Sequence, residues 1–160
     1  MQHIIEDTEK WIKSPAAEPF LLPPAVPSPE SPGEIFGSAV VEASLNLDPA
    51  CILVLSPDGS LALDIWKYRP GVPIVCAVAS PKAGRMLQVY GGVHPIVLDY
   101  KASGVNGTSG QLEAAKALAR ALHFCRAGDN VLAVTAGQES AATGDNSLPP
   151  NLGMHIHRIA

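Results

Sequence analysis

Four short, continuously apolar runs recur along the chain: CILVL at 51–55, PIVCAV at 73–78, VHPIVL at 93–98 and VLAVT at 131–135. Between them, segments near 60–68, 81–89 and 110–124 carry apolar residues at helical spacing. Short apolar strands alternating with amphipathic helices are what a parallel sheet requires, because each crossover must lie over a face and hide it from water. The ending GMHIHRIA alternates polar and apolar residues after a stretch without helical periodicity, which predicts a closing antiparallel strand at the sheet edge. The expected fold class is therefore α/β, a three-layer sandwich around a mostly parallel five-stranded sheet.

Upstream, Ser31 and Pro32 stand as a cap and a first helical residue, and Ile35, Phe36, Ala39, Val40, Ala43 and Leu47 share one face, predicting a helix over about 33–47. Prolines at 15, 19, 23, 24, 27, 29 and 32 forbid helix interiors and sheet ladders, so residues 14–32 read as an extended arm. Before it, MQHIIEDTEKWIK spaces Ile4, Ile5, Thr8, Trp11 and Ile12 as a helix over 1–13 that starts without a cap. The expected organisation is a helix, an arm and one α/β domain over 33–160.

Composition narrows the function classes. A 160-residue chain that is 47% hydrophobic can bury one core and is too short for two ordinary domains. Its formal charge of -4, with 11 basic residues dispersed along it, leaves no electrostatic footprint for nucleic acid or an anionic membrane. No apolar run approaches the roughly 20 residues that span a bilayer, and the acidic start is unlike a signal peptide; the expected location is the cytoplasm. Cys51, Cys76 and Cys125 are widely separated within apolar segments, as suits reduced thiols packed as small hydrophobes.

The order of these elements and several short motifs resemble the C-terminal domain of pyruvate kinase. The family's Lys/Arg-Tyr-Arg-Pro segment is matched by Lys67, Tyr68, Arg69 and Pro70. Its Tyr-Arg-Gly-Val/Ile-x-Pro element is matched in part by Tyr90, Gly92, Val93 and Pro95, and its Gly-Asp-x-Val strand entry by Gly128, Asp129 and Val131. MQHII at the start is similar to the family's helix joining barrel and C-terminal domain. The resemblance implies a regulatory and subunit-association domain of a glycolytic phosphotransferase, with the barrel or other subunits as partners. It also implies that the chemistry, with its Mg²⁺ and K⁺, belongs to a barrel outside these residues. The sequence shows no acidic pair for Mg²⁺ beside a lysine and no Walker-type phosphate loop, so no catalytic residue is assigned and no cofactor is expected in this chain. A stand-alone binding or interaction module derived from that domain is the alternative; an independent flavodoxin-like or hydrolase enzyme lacks a visible nucleophile and base.

In the family a phosphorylated sugar effector binds between the turn after the first strand, an element before the long helix and the loop before the last strand. The resemblance carries this position to Ser56, Asp58, Gly59 and Ser60, to Lys101, and to Gly144. Ser56, Gly59 and Ser60 offer hydroxyls and a flexible backbone at a helix start, which suits an anion. Asp58 adds a like charge, Leu61 stands where phosphate-binding members have a hydroxyl, and Pro57 removes an N–H donor. The loop over 136–151 adds Glu139 and Asp145. The reading these residues favour is a turn that reverses the chain, with Asp58 capping the next helix. GVNGTSG at 104–110 reads as a loop ending in a Thr108 or Ser109 cap rather than a phosphate cradle. His155 and His157 share a strand face without a third metal ligand at suggestive spacing, His94 reads as a satisfied polar residue, and Trp66 as half-buried packing.

Overall fold

The computed structural model describes residues 31–100, 107–137 and 151–159. The expected helix over 1–13, nearly all of the proline-rich arm, Lys101 and Gly144 lie outside the described residues. The elements run α1 (Pro32–Leu47), β1 (Cys51–Leu55), α2 (Ser60–Trp66), β2 (Ile74–Val78), α3 (Pro81–Leu87), β3 (Val93–Val97), α4 (Gly107–Ala121), β4 (Asn130–Gly137) and β5 (Asn151–Arg158).

The strands form one sheet in the order β3-β2-β1-β4-β5. Four are parallel and β5 runs antiparallel to β4, with Asn130 opposite Arg158 and Gly137 opposite Asn151. β1 and β2 are buried along their whole length, which is why their sequences show no alternation. On one face Val40 of α1, Leu61 and Ile65 of α2 and Leu87 of α3 cover Ile52, Val54, Ile74, Cys76, Leu132 and Val134. On the other face Leu112, Ala115 and Ala119 of α4 cover Leu53, Leu55, Val75, Ala77 and Ala133. The three layers and the antiparallel edge are those read from the sequence. Cys51, Cys76 and Cys125 are free and buried, and burial drives the Cys51 and Cys76 thiols up to about 12, as expected of packed thiols.

Local chemistry sets the helix ends. The Ser31 hydroxyl accepts from the Glu34 N–H at 3.2 Å, and Ser80 does the same for Ala83 at 3.2 Å, each followed by proline in the first turn. α4 starts at Gly107, ahead of the expected position. Thr108 and Ser109 consequently lie inside its first turn and neither is the cap, a correction to the sequence expectation. Propensity alone could not place this start, because Gly107, Thr108, Ser109 and Gly110 are all poor helix formers.

From β1 the chain winds by way of α2 and α3 to β2 and β3 on one side, then returns beneath the sheet by way of α4 to β4 on the other. The winding direction therefore reverses between β1 and β4, and the carboxyl ends of these two strands flank the crevice where open α/β sheets commonly hold ligands. Ser56 begins the turn at that end of β1.

Candidate functional site

The turn is tied down at every residue. Ser56 is buried, and its N–H donates to the Ala77 carbonyl of β2 at 3.2 Å. Its own carbonyl accepts from the Gly59 N–H at 3.0 Å, closing the reversal. Pro57 contributes no N–H, but its carbonyl accepts from Ala79 at 2.9 Å and fastens the turn to the end of β2. Gly59 takes φ of 83°, and a Cβ there would lie 2.8 Å from Leu87 Cδ1. Both the left-handed backbone and the contact with α3 demand glycine.

Asp58 organises the polar groups. Its Oδ1 accepts from the Ser56 hydroxyl at 2.9 Å, the Ser60 hydroxyl at 3.0 Å and the Ser60 N–H at 3.2 Å. Partial burial pushes this carboxyl upward, but the hydrogen bonds from Ser56 and Ser60 outweigh it and hold the group below the ordinary aspartate value of 3.8. The expected cap is thus corrected in detail: Gly59 occupies the cap position without a side chain, and Asp58, one residue earlier, satisfies the first free N–H of α2.

This arrangement has a chemical consequence. Two hydroxyls and one helix N–H, the donors an incoming phosphate oxygen would use, already converge on a carboxylate oxygen of the chain itself. Leu61 is buried at 4% exposure and offers the turn no hydroxyl. The sequence suggested charge repulsion at Asp58; the direct satisfaction of Ser56 and Ser60 was missed, although the Ser-x-Asp-x-Ser spacing is its visible signal. Of the other family positions, Lys101 and Gly144 lie outside the described residues.

Replacing Asp58 with Ala is expected to lower unfolding stability by about 1 kcal/mol at neutral pH, the scale of a lost helix cap. Because the folded carboxyl titrates below its unfolded value, its contribution is complete above 3.8 and is lost as pH falls through the depressed folded value. Urea midpoints of the two proteins should therefore converge on acidification. A gap that persists in acid would refute the hydrogen-bonded role.

The motif residues elsewhere serve packing. Lys67 lies between the carboxylates of Glu34 and Asp64, the latter at 3.7 Å, and so ties α2 to α1. Two acids and a lysine meet here although no stretch of sequence placed them together; the ammonium itself occupies the space between the acids. Trp66 is half-buried, donates its indole N–H to the Gly91 carbonyl at 2.9 Å and meets Tyr90 edge-on at 4.9 Å. His94 is exposed and lies against the Phe124 ring at 4.6 Å. His155 and His157 do share a face, with ring centroids 6.3 Å apart. Among the described residues no group of three or more His, Cys, Asp or Glu is placed to hold a metal ion, and no helix is long and apolar enough to cross a membrane.

Residues 35–148 match the family model described as pyruvate kinase, alpha/beta domain. The chain belongs to this family. Pyruvate kinase 2 of Synechocystis is 36% identical over 112 residues, which cover 69% of this chain and 18% of that protein. Pyruvate kinase of Kluyveromyces lactis is 37% identical over 73 residues, covering 46% of this chain and 15% of that protein. A solved pyruvate kinase from Cryptosporidium parvum, in complex with ADP, superposes with a TM-score of 0.69 at 27% identity, over 84% of this chain and 25% of that one. The chain thus spans less than a fifth of the first two relatives and corresponds to the pyruvate kinase α/β domain, as the strand order and motifs implied.

Proposed function

We propose that this chain acts as the C-terminal regulatory and subunit-association domain of a pyruvate kinase, contributing to glycolytic transfer of phosphate from phosphoenolpyruvate to ADP through an associated catalytic barrel. The match over residues 35–148 to the pyruvate kinase alpha/beta domain carries the reading. Mg²⁺ and K⁺ belong, in this proposal, to the barrel, and the cytoplasm is the compartment. The family position for a sugar phosphate is kept as a fold feature while Asp58 occupies its donors.

An antibody against this chain, used on extracts of its native cells, is expected to co-isolate phosphoenolpyruvate-dependent ATP formation. Recovery of the chain without that activity or any pyruvate kinase polypeptide would overturn the reading; recovery bound to an intact pyruvate kinase as a separate polypeptide would favour a stand-alone interaction module. For the turn, millimolar fructose bisphosphate should leave the amide resonances of Ser56, Asp58, Gly59 and Ser60 unmoved. Saturable shifts at those four residues would refute self-satisfaction by Asp58.

A further inference from the structure

Two of the three cysteines, far apart in sequence, meet at the amino end of the sheet. Cys51 heads β1 opposite Val131 of β4, and the Ala50 N–H donates to the Asn130 carbonyl at 2.9 Å, so the two strands enter side by side. Cys125 lies on the connection from α4 to β4. That connection closes tightly: the Arg126 N–H donates to Asp129 Oδ2 at 2.7 Å, and the Asp129 N–H donates to the Arg126 carbonyl at 3.1 Å. The turn returns Cys125 to the level where β4 begins. Cys51 and Cys125 join one buried cluster under α4, and their thiols are hydrogen-bonded to each other.

We propose that Cys51 and Cys125 form a redox modification site, closing a reversible disulfide when the protein meets a peroxide and so clamping the α4–β4 connection to the head of β1.

Contact is the first argument. A disulfide requires two sulfurs already brought together by the backbone, which distance in sequence does not favour and this fold supplies. Cys125 lies on a connection rather than within a strand or helix, so its backbone can close the remaining gap. Selectivity is the second argument. Cys76 sits on the opposite face of the sheet, in the cluster under α1 and α2, and the sheet itself separates it from the pair.

The two thiols have unequal roles. Their mutual bond raises Cys51 and lowers Cys125, so the Cys51 S–H donates and Cys125 Sγ accepts. Burial and then Asp129 raise Cys125, while the Cys51 bond and the Arg120 charge oppose them. Cys51 is 0% exposed and Cys125 3%. Cys125 is therefore the attacking sulfur, since the thiolate is the reactive form. It loses its proton and takes one peroxide oxygen as the O–O bond breaks, giving a sulfenic acid and the first water. Cys51 then loses its proton and attacks that sulfur; the S–O bond breaks and a second water leaves. Two thiols are oxidised and one peroxide is reduced. A small dithiol reverses the bridge by exchange. Burial makes both directions slow, because reagents enter only when the connection opens. This inference is independent of the glycolytic reading above.

The test treats the reduced full chain with hydrogen peroxide in native buffer and, separately, in urea, then counts thiols after denaturation and maps the bridged peptides. In native buffer the free thiols should fall from three to one, with Cys51 linked to Cys125 and Cys76 free. In urea the pairings should be mixed. The oxidised protein should unfold at a urea midpoint higher by about 1–2 M, and dithiothreitol should abolish the difference. Cys76→Ala should leave the bridge intact, whereas Cys51→Ala or Cys125→Ala should abolish it. The wild-type mapping decides even where a variant fails to fold. Three thiols surviving millimolar peroxide, oxidation confined to sulfinic or sulfonic acids, a bridge that includes Cys76, or the same pairings in urea as in native buffer would each overturn the proposal.

Discussion

Gly59→Val is expected to destabilise the domain by about 3–4 kcal/mol. Two separate costs combine at this position. The backbone is held at φ of 83°, where a residue with a Cβ loses on the order of 1–2 kcal/mol and a branched one more. The new side chain must also displace Leu87, whose Cδ1 lies 2.8 Å and Cδ2 3.2 Å from the Cβ position. Leu87 is 2% exposed, so it has no route to solvent without opening the contact of α3 with the sheet. Such overpacking costs typically about 1–3 kcal/mol. Against a total stability of roughly 5–15 kcal/mol for a natural domain, the loss is large. Urea denaturation followed by far-ultraviolet circular dichroism measures it, and a loss below about 1 kcal/mol would show that the turn is adaptable rather than rigid.

Gly37→Leu is expected to cost about 3 kcal/mol, and Gly37→Ala about 1 kcal/mol, against the direction of helix propensity. Alanine normally improves on glycine inside a helix by roughly 0.8–1 kcal/mol. Here α1 crosses α2 so closely that a Cβ on Gly37 would lie 2.8 Å from the Asp64 carbonyl oxygen and 3.1 Å from the Ile65 nitrogen. Those are backbone atoms and cannot rotate aside, so α1 must shift outward and forfeit packing of Val40 and Val41 on the sheet. Trp66 fluorescence provides a second reading, because its indole bond to Gly91 depends on the seating of α2. If Gly37→Ala raised the urea midpoint, propensity would outweigh the contact and the close approach would carry no energetic meaning.

These two glycines also mark how far the sequence could be read. The strands were legible because Ile52, Leu53, Val54, Ile74 and Val75 are covered on both faces, and such positions leave unbroken apolar runs. The last strand was legible for the opposite reason: at the edge beyond β4, His155 and His157 alternate with Met154 and Ile156, and the alternation survives because that edge strand is not fully covered. Helix ends with a serine and proline, at Ser31 and Ser80, could be placed from local chemistry alone. The start of α4 could not, since glycine, threonine and serine leave a cap and a first turn indistinguishable. Gly37 gives no local sign of its contact, because its neighbour is 27 residues away at Asp64, a separation fixed only by the fold.

The candidate turn was half legible. Its position at the end of the first strand and the presence of an awkward carboxylate followed from the sequence. That Ser56 would bury its hydroxyl and give it to Asp58 required the strand-end geometry that fixes all three side chains.

Asp58 can finally be viewed as a competitor tethered to its own receptor. A carboxylate held two residues from each of Ser56 and Ser60 acts at the millimolar or higher effective concentration of a short tether, independent of how much free ligand the surroundings contain. Any diffusing phosphate must first displace it. A single substitution to serine would cut that tether while leaving both hydroxyls and the helix N–H in place, converting a turn that ignores its chemical surroundings into one that samples them.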